Sequence, residues 1–234
     1  MSVKRALIKT GLGIAGFCAI ATAVIGVAHT PWGRPLLKLP LLSSMASRAG
    51  CPVGTIEPAA FEQVRRIKLK GDVGSDDAKA RPALAFTLGE ARRADVERWS
   101  KAQNADCKTG QVASVLECDE VTLGSGPTIT RLRLQFDEQE RLVSVDLFRS
   151  AGAAEALVLR FDELGRELEQ KVGPATKTVG DATVAFMQKS PLQTAVRQYS
   201  YRDYVAKATL LNMGKRGLKL REQYQWLQSL APPA

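Results

Sequence analysis

The residues that most often carry chemistry are few in this chain and poorly spaced for it. Histidine occurs once, as His29, at the end of an apolar N-terminal stretch. A Ser-His-Asp or Cys-His arrangement therefore has no base to draw on in the rest of the chain. Cys107 as a nucleophile needs an electropositive setting, and Lys108 alone supplies little of one. Four cysteines and one histidine are too few, and too scattered, for a Cys/His zinc site. Adjacent carboxylates occur at Asp119/Glu120, Asp137/Glu138 and Asp162/Glu163. Neighbours on a strand point to opposite faces, so the first pair does not converge on one substrate atom. The second reads as a turn and the third as a solvated helix face. Gly124-x-Gly126 runs straight into Pro127 and lacks the helix that a phosphate loop needs. Asp72, Asp76 and Asp77 miss the spacing of a calcium loop and have no downstream glutamate to complete it. These residues imply no catalytic site, no metal and no cofactor.

Cysteine placement points instead to structure. Cys107 and Cys118 flank a short loop and the start of a strand. In an exported domain they read as a disulfide, which stabilises such a short loop by roughly 2–3 kcal/mol in the chain-entropy model. In a reducing compartment they read as two buried thiols. Cys51 is left unpaired, or pairs between chains.

The compartment is suggested by the N-terminus. Gly11–Ala28 carries no charge, while Lys4, Arg5 and Lys9 precede it. As a helix it spans about 27 Å, just enough for a bilayer core. The flanking charge puts the N-terminus in the cytoplasm and the remainder outside, as a single-pass protein of a bacterial-type inner membrane with a periplasmic domain. The uncleaved anchor (residues 1–30) competes with a signal peptide cut after Ala28, where Gly26-Val27-Ala28 supplies small residues. Neither Cys18 nor Cys51 has a lipobox. The net charge of +9 is spread along the chain rather than run together, which argues against nucleic-acid binding and for mild attraction to anionic surfaces.

Residues 31–82 hold four prolines in a leucine-rich juxtamembrane run, a helix over Glu57–Leu69 and a polar loop over Gly71–Arg81. Residues 83–150 read as a first module. It opens with a short strand over Ala83–Leu88 and a helix to about Ala102 with Thr87–Glu90 at capping-box spacing. A strand over Val112–Val121 follows. Then Leu132, Leu134 and Phe136 alternate with polar residues, as do Val143, Val145 and Leu147, which predicts an antiparallel hairpin. Residues 151–230 repeat the theme. A long helix over Ala153–Val172 stops at Gly173-Pro174. Strands are expected over Val184–Met187, Gln193–Tyr201 and Tyr204–Met213, and a last one alternates through Leu218, Leu220, Tyr224 and Trp226. The fold class is α+β: an anchor helix followed by two helix-plus-antiparallel-sheet modules.

Tyr199, Tyr201, Tyr204 and Trp226 form the best candidate binding surface, because exposed Tyr and Trp are common interface anchors. Tyr199 and Tyr201 share one strand face. Trp226, with Tyr224, has a competing place in a core with Phe161.

The order of elements resembles the BamE (SmpA/OmlA) group of envelope domains and their tandem relative, the beta-lactamase inhibitor protein family. The resembling residues are Phe86-x-Leu88-Gly89 followed by Val96, then Leu116-x-Cys118 and Leu132–Phe136. In the second half they are Phe161, Leu164, Leu168 and Val172-Gly173-x-Ala175. The resemblance covers Ala83 to Leu227 and implies fold and envelope location, with no functional residues carried over. The resulting reading is a non-catalytic, membrane-anchored envelope protein that binds or assembles a protein partner, attached through residues 11–28. The competing reading is a membrane-anchored periplasmic enzyme with carboxylates in a groove between the two modules.

Overall fold

The computed structural model describes residues 71–124 and 126–227, together with positions 63, 64, 67 and 69. Those four positions are helical, within the helix expected over Glu57–Leu69. The Gly11–Ala28 stretch, Cys18, His29, Cys51, the proline-rich run and the C-terminal APPA lie outside the described residues. No helix among the described residues is long and apolar enough to cross a membrane. Glu57–Ala234 forms one compact unit.

Two-residue strands β1 (Pro82–Ala83) and β2 (Phe86–Thr87) pair with each other ahead of helix α1 (Arg93–Ala102). Strands β3 (Asp106–Thr109), β4 (Val115–Val121), β5 (Thr128–Phe136) and β6 (Leu142–Ser150) follow. After helix α2 (Ala154–Val172) come β7 (Lys177–Val179), α3 (Val184–Gln188), β8 (Thr194–Ser200), β9 (Tyr204–Asn212), a 3-10 turn at Gly214–Arg216, and β10 (Leu218–Trp226). The protein is α+β, with one eight-stranded antiparallel sheet in the order β3-β4-β5-β6-β10-β9-β8-β7. The two halves expected from the sequence thus share a sheet. β10 ladders against β6 from Leu220↔Arg149 to Gln225↔Ser144. This pairing leaves only short strands, β3 and β7, at the edges of the sheet, where long unpaired strands would invite aggregation.

Local chemistry explains where the elements start and stop. The capping-box spacing at Thr87 does not start the first helix. The Thr87 carbonyl instead accepts the Glu90 and Ala91 N–H groups in a turn. Gly89 there has φ +82°, and a Cβ would lie 2.9 Å from the Trp226 ring, so only glycine fits. α1 begins after Arg92, whose N–H donates to the Asp95 carboxylate. α2 runs as predicted and buries Leu157, Phe161, Leu164, Leu168 and Val172. It ends at Gly173, φ +112°. The strand expected over Val184–Met187 is the helix α3. Thr183 Oγ1 accepts the Phe186 N–H and starts it, and so short an apolar run shows no period by which to tell the two apart.

The sheet register sorts residues onto two faces. One carries Leu116, Cys118, Leu132, Leu134, Val145, Leu147, Leu220, Tyr224, Ala208 and Leu210, all buried. Together with Val96 of α1 and the apolar stripe of α2, they form a single core cluster. Cys107 and Cys118 face each other across β3 and β4 and are disulfide-bonded, with Cα atoms 4.1 Å apart. The bond pins the short edge strand β3 to the body of the sheet.

Candidate functional site

The aromatic residues predicted to form a binding surface lie on the covered side of the sheet. Tyr199 and Tyr204 are fully buried and Trp226 nearly so, and Tyr201 is half-buried. The reason is α2, which packs over β9 and β10 and occupies the side that the tyrosines face. Each hydroxyl finds an acceptor there. Tyr199 donates to Gly165 O at 3.1 Å, Tyr201 to Val172 O at 2.5 Å and Tyr204 to Pro82 O at 2.6 Å. Burial pushes the Tyr199 hydroxyl up to about 12 and raises Tyr201 and Tyr204 in the same direction. Trp226 packs on Gly89, with the Arg141 guanidinium 4.9 Å from its ring centre. Tyr199, Tyr204 and Trp226 belong to the core rather than to an accessible surface, Trp226 in the core place with Tyr224 and Phe161 that competed with a binding role, and Tyr201 lies at the core's edge.

Beneath the same helix lies an ionic cluster that the sequence reading missed. Arg149 Nε donates to Glu222 Oε1 at 2.5 Å, and Tyr224 OH donates to Glu222 Oε2 at 2.7 Å. Arg149 also donates to Pro127 O at 3.2 Å. Both oxygens of the buried carboxylate are satisfied, as a low-dielectric site demands. The signal was in the alternation: β10 reads Leu218, Leu220, Glu222, Tyr224, Trp226 inward, so a charge sits at an apolar phase.

The adjacent carboxylates act separately. Asp137 accepts from the Gln139 and Arg141 N–H groups in the β5–β6 turn. Asp162 pairs with Arg197 at 2.7 Å, and Glu163 with Arg160 at 3.7 Å. Asp119 is exposed on β4, and Glu120 beside it has φ +53°. The seam between the two halves is the β6–β10 ladder, which joins them in one continuous sheet. The aspartates of the Gly71–Arg81 loop fasten that segment to β8 and to the β8–β9 turn. Asp72 accepts from Gln198, and Asp77 pairs with Arg202. The buried Asp203 accepts from the Ala78 N–H at 2.8 Å and pairs with Arg81. No cluster of metal-ligating side chains occurs among the described residues.

Helix α2, β8 and the segment 178–183 line a small open pocket of about 260 Å³ with Phe161, Asp162 and Arg197 in its wall. Gly165 gives Arg197 its room, since a Cβ there would overlap the guanidinium. That guanidinium is taken up by Asp162 and by the Phe161 ring, 4.8 Å away.

The middle of the opposite face is polar, beside a row of Val115, Gln135, Ser144, Gln225 and Val205 in which all but Gln225 are buried. Two rows run across its strands. One carries Glu117, Arg133, Asp146, Gln223 and Lys207, and the other Asp119, Arg131, Phe148, Arg221 and Thr209. Arg133 donates to Glu117 at 2.5 Å, and Arg131 shares the same carboxylate at 3.6 Å. Arg221 donates to Asp146 at 2.6 Å and lies 5.1 Å from the Phe148 ring centre. This face can bind by charge and hydrogen bonding. Its carboxylates Glu117 and Asp146 are paired with arginines, and the exposed Asp119 is not.

An α+β domain with one broad antiparallel sheet, helices α1 and α2 packed into the core on one face and a polar ladder on the other, is the class that fold and site define. In comparison with known proteins, the chain matches no family model, no curated protein and no solved structure.

Proposed function

We propose that this chain is a non-catalytic, membrane-anchored protein of the bacterial cell envelope. Its exported α+β domain binds or assembles a protein partner. The observation that carries the reading is the polar face of the sheet. An exposed Arg131 and the half-buried Arg133, Arg221, Gln223 and Lys207 stand there in two ordered rows on a rigid ladder, with a half-buried Phe148 among them. Rigid scaffolds that display Arg and an aromatic ring lose little entropy when they dock. The uncharged Gly11–Ala28 stretch with Lys4, Arg5 and Lys9 ahead of it supports the anchor and its orientation. The Cys107–Cys118 bond supports an oxidising compartment. The resemblance to envelope domains points to the same place.

The test is a photo-crosslinking residue placed at Gln223 in the full-length chain, within cells. A discrete crosslinked protein that also appears from Thr209, and not from Lys171 on α2, is expected. A catch that is the same from all three positions, or none, sinks the reading. A reporter fused after Ala234 that is active only in the cytoplasm removes the exported topology.

A further inference from the structure

The charges on the polar face are unbalanced in a way that specifies the partner. Glu117 is shared by Arg131 and Arg133. Among the described residues, Lys207 and Lys219 have no carboxylate within ion-pair distance, although both lie on this face. Arg131, Phe148 and Arg221 stand on the consecutive strands β5, β6 and β10 in one row. Strands are spaced by about 4.8 Å, so two cations flank the ring roughly 10 Å apart.

We propose that this face takes an acidic segment of a protein, with Asp or Glu side chains on Arg131, Lys207 and Lys219 and an apolar side chain against Phe148. The assignment rests on the binding-module reading above and names the chemistry of its partner. Charge complementarity selects the occupant. Arg131 has donors left after sharing Glu117, and among the described residues Lys207 and Lys219 form no ion pair that an incoming carboxylate would have to displace. A nucleic-acid backbone fits less well, because Glu117, Asp119 and Asp146 interrupt any continuous phosphate track across the rows. A lipid surface also fits less well. Arg133 and Arg221 are held down on the sheet by their carboxylates, with side-chain exposures of 42% and 40%, instead of reaching out to headgroups.

The test uses the full-length chain in neutral detergent and a fluorescent peptide that alternates glutamate pairs with leucine. Binding should weaken as salt rises. It should weaken about tenfold or more in the double variant Lys207→Glu/Lys219→Glu, a loss of the size expected for reversing two contact charges. Lys171→Glu, on the far side of the sheet, changes the net charge without touching this face and should bind as the parent does. Thermal unfolding of the variants checks that each is folded. Equal binding of a lysine-leucine peptide, or indifference to the double reversal, overturns the proposal. So does binding to phosphatidylglycerol vesicles without binding to the peptide. A partner crosslinked from Gln223 that persists in the double reversal keeps the binding module and removes its acidic partner. A peptide bound as predicted with no crosslinked partner in cells does the reverse.

Discussion

Strands β6 and β10 carry two arginine–carboxylate pairs on opposite faces of the sheet. Arg149–Glu222 points inward, 2.5 Å apart and only 4% and 1% exposed. Arg221–Asp146 points outward, 2.6 Å apart and 40% and 21% exposed. The contacts are nearly identical, and Arg221 and Glu222 are neighbours in the chain. Water alone separates the two cases. The inward pair gives up two hydration shells and is tolerable because Tyr224 and Pro127 O complete its hydrogen bonds. The outward pair keeps part of its water, is screened by salt and contributes less to stability.

The largest effect should follow from breaking the inward pair on one side. Glu222→Ala is expected to cost about 3–5 kcal/mol in urea unfolding, since it strands Arg149 in the core. Arg149→Met combined with Glu222→Leu should cost much less than the single change. A single change costing under about 1 kcal/mol would mean that water reaches the pair after all.

Alkali attacks the inward side as well. The chain has four tyrosines, and burial raises the hydroxyl pKa of Tyr199, Tyr201, Tyr204 and Tyr224 alike. A group whose folded pKa lies above its unfolded value near 10 stabilises the fold fully below that value. That contribution is lost as the pH rises from about 10 toward about 12, the value for Tyr199. Tyrosinate absorbance should therefore appear with unfolding rather than before it. A gradual titration near pH 10 in the folded protein would contradict the burial.

A smaller loss is expected from Tyr224→Phe, about 1–3 kcal/mol, because Glu222 Oε2 loses its donor inside the core. Smallest is Asp146→Asn on the outward pair, under about 1 kcal/mol and shrinking further in salt. If Asp146→Asn matches Tyr224→Phe in urea unfolding, the contrast between the faces fails.

The same contrast explains what could be read from the residues alone. α2 was legible because Leu157, Phe161, Leu164 and Leu168 recur at helical spacing. The β5–β6 hairpin and β10 were legible because one face is wet and the other dry. The edge strands β3 and β7 were not: apart from Cys107 in β3 their residues are exposed, so no alternation marks them. Val184–Gln188 was too short to separate helix from strand. The i, i+2 spacing of Tyr199 and Tyr201 does indicate a shared side. It does not say that α2 will lie across that side, which is a tertiary fact. The polar rows were visible only as the remainder of the apolar pattern. Pairing β6 with β10 unites two half-faces that are distant in the chain.

That pairing has a consequence in the order of synthesis. β10 is the last strand described, yet it occupies the middle of the sheet. When β6 has been made, the whole of Ala151–Gly217 must follow before its partner exists, a wait on the order of several seconds at ordinary translation rates. Until then β6 and β9 are both bare edges, and the helix above them has half a floor. Closure of so distant a contact is entropically slow. A chain built this way completes the middle of its sheet only once its last described strand has been made.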